Sequence, residues 1–204
     1  MLLAGHIKRR YYLRSMLSRF FLIISLLFST PAIAEPEAPF ELPKASELAK
    51  LRSAIIYTEK GDLFFELFPE EAPWHVANFK YLADKEFYKG LSFHLYYPGY
   101  VIQGGSPDGK PASGPGYELP PEFSKLPNEF GSLGMARKPD YVNPERRSNG
   151  SQFHILLSDA PHMDGSYTVF GKLVKGADIL KKLEKGDRIK DIKVFVRPSG
   201  RGEP

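Results

Sequence analysis

Two glutamine side chains, Gln103 and Gln152, are the polar groups best placed for chemistry in this chain. Each lies in a short segment that reads as a β-strand, and alternate residues of a strand point to the same side. Val101 therefore shares a face with Gln103, and His154 shares a face with Gln152. Each face places an amide, which can donate and accept hydrogen bonds, beside a residue that could line a pocket.

Metal chemistry is the other possibility that these residues raise, since His94, His154 and His162 could act as ligands. Their spacing matches no recognisable ligand pattern, and no cysteine or carboxylate completes a set. The chain contains no cysteine, which excludes thiol catalysis and disulfide bonds. A metal-dependent hydrolase that used the histidines would bind zinc tightly. We predict no metal and no cofactor.

Five short motifs set these residues in a larger pattern. In chain order they are Phe93-His94, residues 98–105 (PGYVIQGG), 150–153 (GSQF), 163–165 (MDG) and 168–171 (TVFG). In that order they resemble the cyclophilin family of peptidyl-prolyl isomerases, and the resemblance covers nearly all of residues 53–198. Several of the motif residues are glycines that could serve tight turns, so the motifs identify the fold better than the activity.

The resemblance implies catalysis of rotation about the peptide bond that precedes proline. That rotation is slow because amide resonance creates a barrier of about 18–20 kcal/mol. Its catalyst needs no nucleophile, metal or proton carrier. It needs an apolar pocket for the proline ring and donors that stabilise the twisted amide. In cyclophilins an arginine beside the pocket is the principal donor, and a glutamine helps to hold the substrate.

The resemblance also implies roles for individual residues. It assigns the catalytic centre to Gln103, Tyr100 and Leu95, where Leu95 stands at the position of the family's arginine. The residues that it implies for substrate binding are Val101, Ala136, Gln152, His154, His162, Met163 and Tyr167.

Leu95 bears most directly on the activity. Loss of a charged hydrogen bond costs about 1.5–3 kcal/mol, and if that bond acts only in the transition state, the rate falls roughly ten- to a few-hundredfold. We therefore predict a cyclophilin-type isomerase of reduced activity that assists the folding of exported proteins. The alternative is a non-catalytic module that binds proline-containing peptides as a chaperone or adaptor.

Several site residues also have a purely structural interpretation. Gln103 and Gln152 could brace the barrel through hydrogen bonds instead of contacting substrate. His94 belongs to a strand motif and is interpreted as structural. Three further residues could belong to an ordinary core instead of a pocket: Tyr100, Val101 and Met163.

A basic segment follows the predicted strand that contains Ala136. Arg137, Arg146 and Arg147 lie in or beside a predicted loop over residues 138–147. The loop could simply be solvated. Alternatively, one guanidinium could swing over the pocket and replace the missing arginine.

The pattern of short segments predicts a mostly β fold. Short apolar or alternating runs predict strands at residues 54–58, 63–68, 93–97, 100–103, 132–136, 152–157, 169–174 and 189–196. Helices are predicted from Pro73, where Val76, Phe79 and Leu82 recur at a spacing of three, and over residues 177–183. The resemblance implies a closed eight-stranded antiparallel barrel capped by the two helices.

The first 34 residues read as a secretory signal peptide. They hold five basic residues and no acidic one, an apolar run at residues 20–28, and an A-x-A cleavage site at residues 32–34. The run is shorter than the ~20 residues that span a bilayer, although an uncleaved anchor is the alternative. Met16 could be the true start, which would make residues 1–15 an upstream extension instead of a long basic region.

The remaining regions are a Pro/Ala-rich tether at 35–52, a domain at 53–198 and a tail at 199–204. Outside the leader the chain has 23 basic and 24 acidic residues, so its charge gives no support for nucleic-acid binding. We expect a periplasmic monomer without a stable membrane span, whose partners are Xaa-Pro segments of unfolded or exported proteins.

Overall fold

Residues 38–196 are described by a computed structural model, and they fold around one antiparallel sheet. The ten strands are β1 (Leu51–Thr58), β2 (Gly61–Leu67), β3 (Leu95–Tyr97), β4 (Val101–Gly104), β5 (Glu118–Leu119), β6 (Ser132–Met135), β7 (Ser148–Asn149), β8 (Phe153–Leu156), β9 (Val169–Lys175) and β10 (Ile189–Val196). The helices are α1 (Ala45–Leu48), α2 (Pro73–Asp84), α3 (Ala177–Leu180) and a 3-10 turn at Pro161–Met163. The predicted mostly β fold is confirmed.

Eight strands form the main sheet in the order β10-β1-β2-β9-β6-β8-β4-β3, and β5 pairs with β7 separately. The prediction of a closed barrel is wrong, because the sheet curls but its edge strands β3 and β10 do not pair along their lengths. An irregular segment, residues 90–93, lies between the edges. It bonds to residues 186–189 through Gly90 N to Ile189 O and Phe93 N to Asp187 O, at 2.8 and 2.9 Å.

The main core lies between one face of the sheet and α2. Three residues predicted to recur along this helix, Val76, Phe79 and Leu82, are buried there. Phe79 makes edge contacts with Phe153 of β8 and Phe170 of β9, with ring centroids 5.7 and 5.3 Å apart. Such aromatic pairs favour tilted geometry and fix the position of the helix on the sheet.

The N-terminus of α2 is held by a carboxylate from a distant loop. Pro73 occupies the first turn, where its missing N–H costs nothing. Glu122 accepts hydrogen bonds from the backbone N–H groups of Trp74 and His75, each at 3.0 Å. These bonds satisfy donors that a helix start leaves unpaired, and the negative charge complements the helix dipole.

The folded part of the chain begins before residue 53. Phe40 stacks on Tyr81 of α2 with ring centroids 5.1 Å apart and also contacts Trp74. Helix α1 follows, and β1 begins at Leu51. Residues 40–52 of the predicted tether thus pack on the domain. Helix α1 lies inside the region that was predicted as a tether. Within residues 38–196, helices are too short or too polar to cross a membrane.

Candidate active site

A second apolar cluster lies on the opposite face of the sheet from the main core. Its buried members are Val101, Leu156, Ala160 and Met163, and its partly buried members are Leu95, Tyr100 and Tyr167. We call these seven residues the outer cluster. Strand alternation explains it, since Ile102, Phe153 and Ile155 point into the main core while their neighbours Val101 and Leu156 point outward.

Sequence reasoning found five of the seven members but missed Leu156 and Ala160. Leu156 carried a usable signal, because it follows His154 by two residues on the same strand and must share its face. Ala160 follows the strand in a loop, where no periodicity applies. Its backbone N–H is fixed by Asn128 O at 2.7 Å, which brings the segment back over the cluster.

The rim of the outer cluster is polar. The hydroxyl of Tyr100 lies 3.0 Å from His162 Nε2 and 3.2 Å from the sulfur of Met163. The rings of Tyr100 and His162 stack with centroids 5.9 Å apart and an interplanar angle of 24°. Burial is the main cause that raises the pKa of Tyr100, so its hydroxyl remains protonated and can donate near neutral pH.

Gln103 lies beside the outer cluster, opposite Leu95 in the pairing of β3 with β4. Its Nε2 donates to Gln152 Oε1 at 2.7 Å. The same Oε1 lies 3.1 Å from His94 Nε2, and because an amide oxygen only accepts, His94 must carry its proton on that nitrogen. Burial lowers the pKa of His94, which keeps the ring neutral.

Gln152 is buried, with 1% of its surface exposed, and its amide braces the site. Its Nε2 lies within 3.2 Å of the carbonyl oxygens of Lys110, Pro111 and Ser113. Its predicted contact with substrate stays a prediction. Gln152 fixes the loop over residues 110–113 and orients the amide of Gln103.

A groove of about 350 Å³ runs past Leu95 and Gln103. Its lining residues are Leu95, Gln103, Pro111, Ala112, Glu118, Ala136, Arg137, Lys138, Pro139, Asn149 and Gln152. Ala136, a predicted binding residue, borders this groove, and its N–H donates to the backbone oxygen of Gln152 at 2.8 Å. A smaller pocket of about 300 Å³ adjoins the other side of Leu95. Leu95 thus separates two depressions, and its side chain is apolar where a donor was expected from the family.

Two backbone segments come close together next to Gln103 and Gln152: Gly105, which follows β4, and Ser151, which precedes β8. A Cβ at Gly105 would lie 2.1 Å from the backbone oxygen of Ser151, and Gly105 has φ +86°. Any side chain there would force the backbones apart. The hydroxyl of Ser151 donates to the carbonyl oxygen of Gly105 at 2.8 Å, which closes the contact.

His154 lies beneath the outer cluster, with only 3% of its surface exposed. Its ring meets Tyr167 edge-on, with centroids 5.8 Å apart. A Cβ at Gly134 would lie 2.5 Å from its Nε2, so the neighbouring strand must carry glycine to admit the ring. The imidazole forms a floor that Tyr167 contacts, and the predicted substrate contact of His154 stays a prediction.

The imidazole of His154 is buried at an energetic cost. Its Nε2 has no hydrogen-bond partner among residues 38–196. Burial disfavours the charged form and lowers the pKa of His154 to about 4. The side chain is therefore neutral at pH 7.

The three arginines of the basic segment have different surroundings. Arg137 lines the groove, and its guanidinium carbon lies 4.6 Å from the centroid of the Tyr167 ring. Arg146 pairs with Asp140 at 2.6 Å, and Arg147 donates from Nη2 to the backbone oxygen of Glu118 at 3.1 Å. Arg137 is thus the arginine of the three that lines the groove.

His94, His154 and His162 do not come together as a metal site. Nowhere in the part of the chain that the structure describes do three His, Cys, Asp or Glu side chains form a group able to hold a metal ion. His94 is hydrogen-bonded to Gln152, while His162 belongs to the rim and His154 to the floor.

Replacement of His154 by phenylalanine should change the dependence of stability on pH. Below about pH 6.5 the unfolded chain protonates this histidine, whereas the folded chain does not until about pH 4. Acidification between these values therefore favours unfolding. Urea unfolding at pH 7 and pH 4.5 should show that the natural protein loses roughly 2–3 kcal/mol more than His154→Phe. Equal losses in the two proteins would contradict a neutral, buried imidazole.

Comparison with known proteins agrees with this geometry. Residues 53–197 match the family model described as cyclophilin type peptidyl-prolyl cis-trans isomerase/CLD. A peptidyl-prolyl cis-trans isomerase of Helicobacter pylori (strain 26695) is 41% identical over 162 residues, which cover 78% of this chain and 95% of that protein. Peptidyl-prolyl cis-trans isomerase B of Bacillus subtilis is 43% identical over 147 residues, or 71% of this chain and 99% of that protein.

Solved structures give the same result. A crystal structure of a Cryptosporidium parvum cyclophilin type peptidyl-prolyl cis-trans isomerase in the presence of the dipeptide Ala-Pro superposes with a TM-score of 0.62. It is 33% identical and covers 71% of this chain and 99% of its own. With the outer cluster, the Gln103 amide and the open antiparallel sheet in place, the chain belongs to the cyclophilin-type peptidyl-prolyl cis-trans isomerase family.

Proposed function

We propose that this protein catalyses cis-trans isomerisation of Xaa-Pro bonds, with the proline ring held on the outer cluster and the peptide backbone in the groove. The observation that carries this proposal is an apolar cluster on the outside of the sheet, next to an amide that is fixed by a buried partner. The relatives named as isomerases support the same reaction.

The apolar cluster contributes by removing water from the prolyl amide. Resonance places partial charge on the planar amide, so an apolar environment destabilises the planar form more than the twisted form. Val101 and Met163 are buried members of the cluster, and Tyr100 lies at its rim. Together these residues offer an apolar surface on which a proline ring can pack.

Gln103 supplies hydrogen bonds to the peptide. One hydrogen of its Nε2 is engaged with Gln152, while the nearby His94 Nε2 carries a proton and cannot accept the other. Within the described residues, Gln103 Oε1 has no hydrogen-bond partner either. The side chain therefore retains one donor and one acceptor for a ligand in the groove, with an orientation fixed in advance.

The activity we propose is lower than that of a cyclophilin with the usual arginine. Leu95 belongs to the outer cluster and offers no donor to the twisted amide. Desolvation and Gln103 remain, so the reaction is slowed but not abolished. A non-catalytic peptide-binding module is the second candidate, and the apolar side chain of Leu95 is the observation that favours it.

Replacement of Leu95 by arginine should raise the isomerisation rate. A guanidinium there would form a charged hydrogen bond to the twisted amide, and we expect kcat/KM to rise roughly ten- to a few-hundredfold. The isomerisation rate with each protein is measured by NMR exchange between the cis and trans forms of a short Ala-Pro peptide. Tyr97→Arg is the matched control, because it adds the same charge two residues along the strand, at a site with 57% exposure.

The outcomes separate the two candidate functions. Exchange above background with the natural protein, increased by Leu95→Arg and unchanged by Tyr97→Arg, supports a weakened isomerase. Binding of the peptide without exchange, with activity only in Leu95→Arg, would favour the binding module. No gain in Leu95→Arg would contradict the assignment of that position.

We also propose that the protein is exported to a periplasm and assists folding there. The leader at residues 1–34, which lies outside the described residues, supports this by its basic start, its apolar run and its Ala32-Ile33-Ala34 site. In a Gram-negative host, the mature protein should appear in the periplasmic fraction with Glu35 as its first residue. N-terminal sequencing of a full-length product from the cytoplasm or the membrane would count against export.

A further inference from the structure

Arg137 carries a guanidinium that is held firmly at the edge of the groove. Its side chain is only 6% exposed. Its Nε donates to the backbone oxygen of Ser166 at 2.9 Å, and its Nη1 donates to the backbone oxygen of Lys138 at 3.1 Å and to Asp140 at 2.5 Å. Three acceptors on two segments therefore fix the orientation of one planar group.

The ring of Tyr167 ties this guanidinium to the outer cluster. The guanidinium carbon lies 4.6 Å from the ring centroid, a distance at which a cation is attracted to the face of an aromatic ring. Tyr167 belongs to the outer cluster, and Arg137 lines the groove together with Leu95 and Gln103. The positive charge therefore lies between the apolar surface and the peptide-sized groove.

One end of the guanidinium remains available. Nη2 has no hydrogen-bond partner among residues 38–196. It is not fully buried by these residues, so solvent reaches it. Lys138, the other cation of the groove, is paired with Glu118 at 2.9 Å and is half exposed. Arg137 is thus the more firmly oriented of these two cations.

We propose that Arg137 takes over the task for which Leu95 has no donor: its Nη2 donates a hydrogen bond to the prolyl amide as that amide twists. This inference rests on the proposed function. No covalent bond forms or breaks and no proton is transferred. A donor that is already oriented needs no reorganisation when the amide twists, so it stabilises the transition state more than the planar substrate.

The test compares Arg137→Gln with Arg146→Gln in the natural chain. Arg146 is the matched control, because its guanidinium pairs with the same Asp140 but does not line the groove. With a short Ala-Pro peptide, we expect Arg137→Gln to lower kcat roughly ten- to a hundredfold with little change in KM. Arg146→Gln should stay within about twofold of the natural protein. Arg137→Lys should recover only part of the loss, since lysine keeps the charge but not the planar fork.

Introduction of Leu95→Arg into the Arg137→Gln variant distinguishes catalysis from folding. If Arg137 acts on the amide, an arginine at position 95 should restore most of the lost kcat. A loss that Leu95→Arg does not restore would show that Arg137 only supports the local structure and would overturn the inference. Should Arg137→Gln fail to fold, Arg137→Lys carries the same comparison.

The exchange rate measured with the natural protein shows whether this inference alone fails or the proposed function fails as well. If it catalyses exchange and Arg137→Gln matches it, Arg137 has no role in catalysis and the inference is wrong while the isomerase proposal stands. If the natural protein shows no exchange, the proposed function fails, and the inference fails with it.

Discussion

The buried amide of Gln152 is the connection on which the arrangement of the site depends. Gln152 lies immediately before β8. Its Nε2 approaches the carbonyl oxygens of residues 110, 111 and 113, and its Oε1 accepts from Gln103 and His94. An irregular loop has no strand partner to satisfy its backbone, so side-chain donors, with the buried amide of Gln152 foremost, determine where this loop lies. The same contacts orient Gln103, so the groove wall and its polar group are positioned together.

Strand alternation accounts for the second half of the site. A sheet that packs one face against α2 would ordinarily present polar residues on its other face. Here β4 and β8 present Val101 and Leu156 instead, and the segment after β8 covers them partly with Ala160 and Met163. The result is an apolar surface that the fold leaves accessible at its rim, where Tyr100 and His162 lie. A ligand with an apolar ring and a polar backbone fits these two parts.

The sequence predicted these features to different extents. Alternation alone placed Val101 with Gln103, and the spacing along α2 predicted the buried face of that helix, because both patterns are local. The burial of Gln152 and His154 was not predicted, since it depends on a loop and on Tyr167, which are distant in sequence. The open edge of the sheet was also missed. An irregular segment at residues 90–93 joins the two edges, and no sequence period marks it.

The most direct test of this account is the location of the proline ring on the protein. Intermolecular NOEs between the proline ring protons of a short Ala-Pro peptide and assigned side chains would provide it. We expect NOEs to the methyl groups of Val101 and Met163 and to the ring of Tyr100. NOEs confined to a distant exposed site, such as Tyr141 and Val142 in the loop beyond the groove, would contradict the assignment of the outer cluster as the proline pocket.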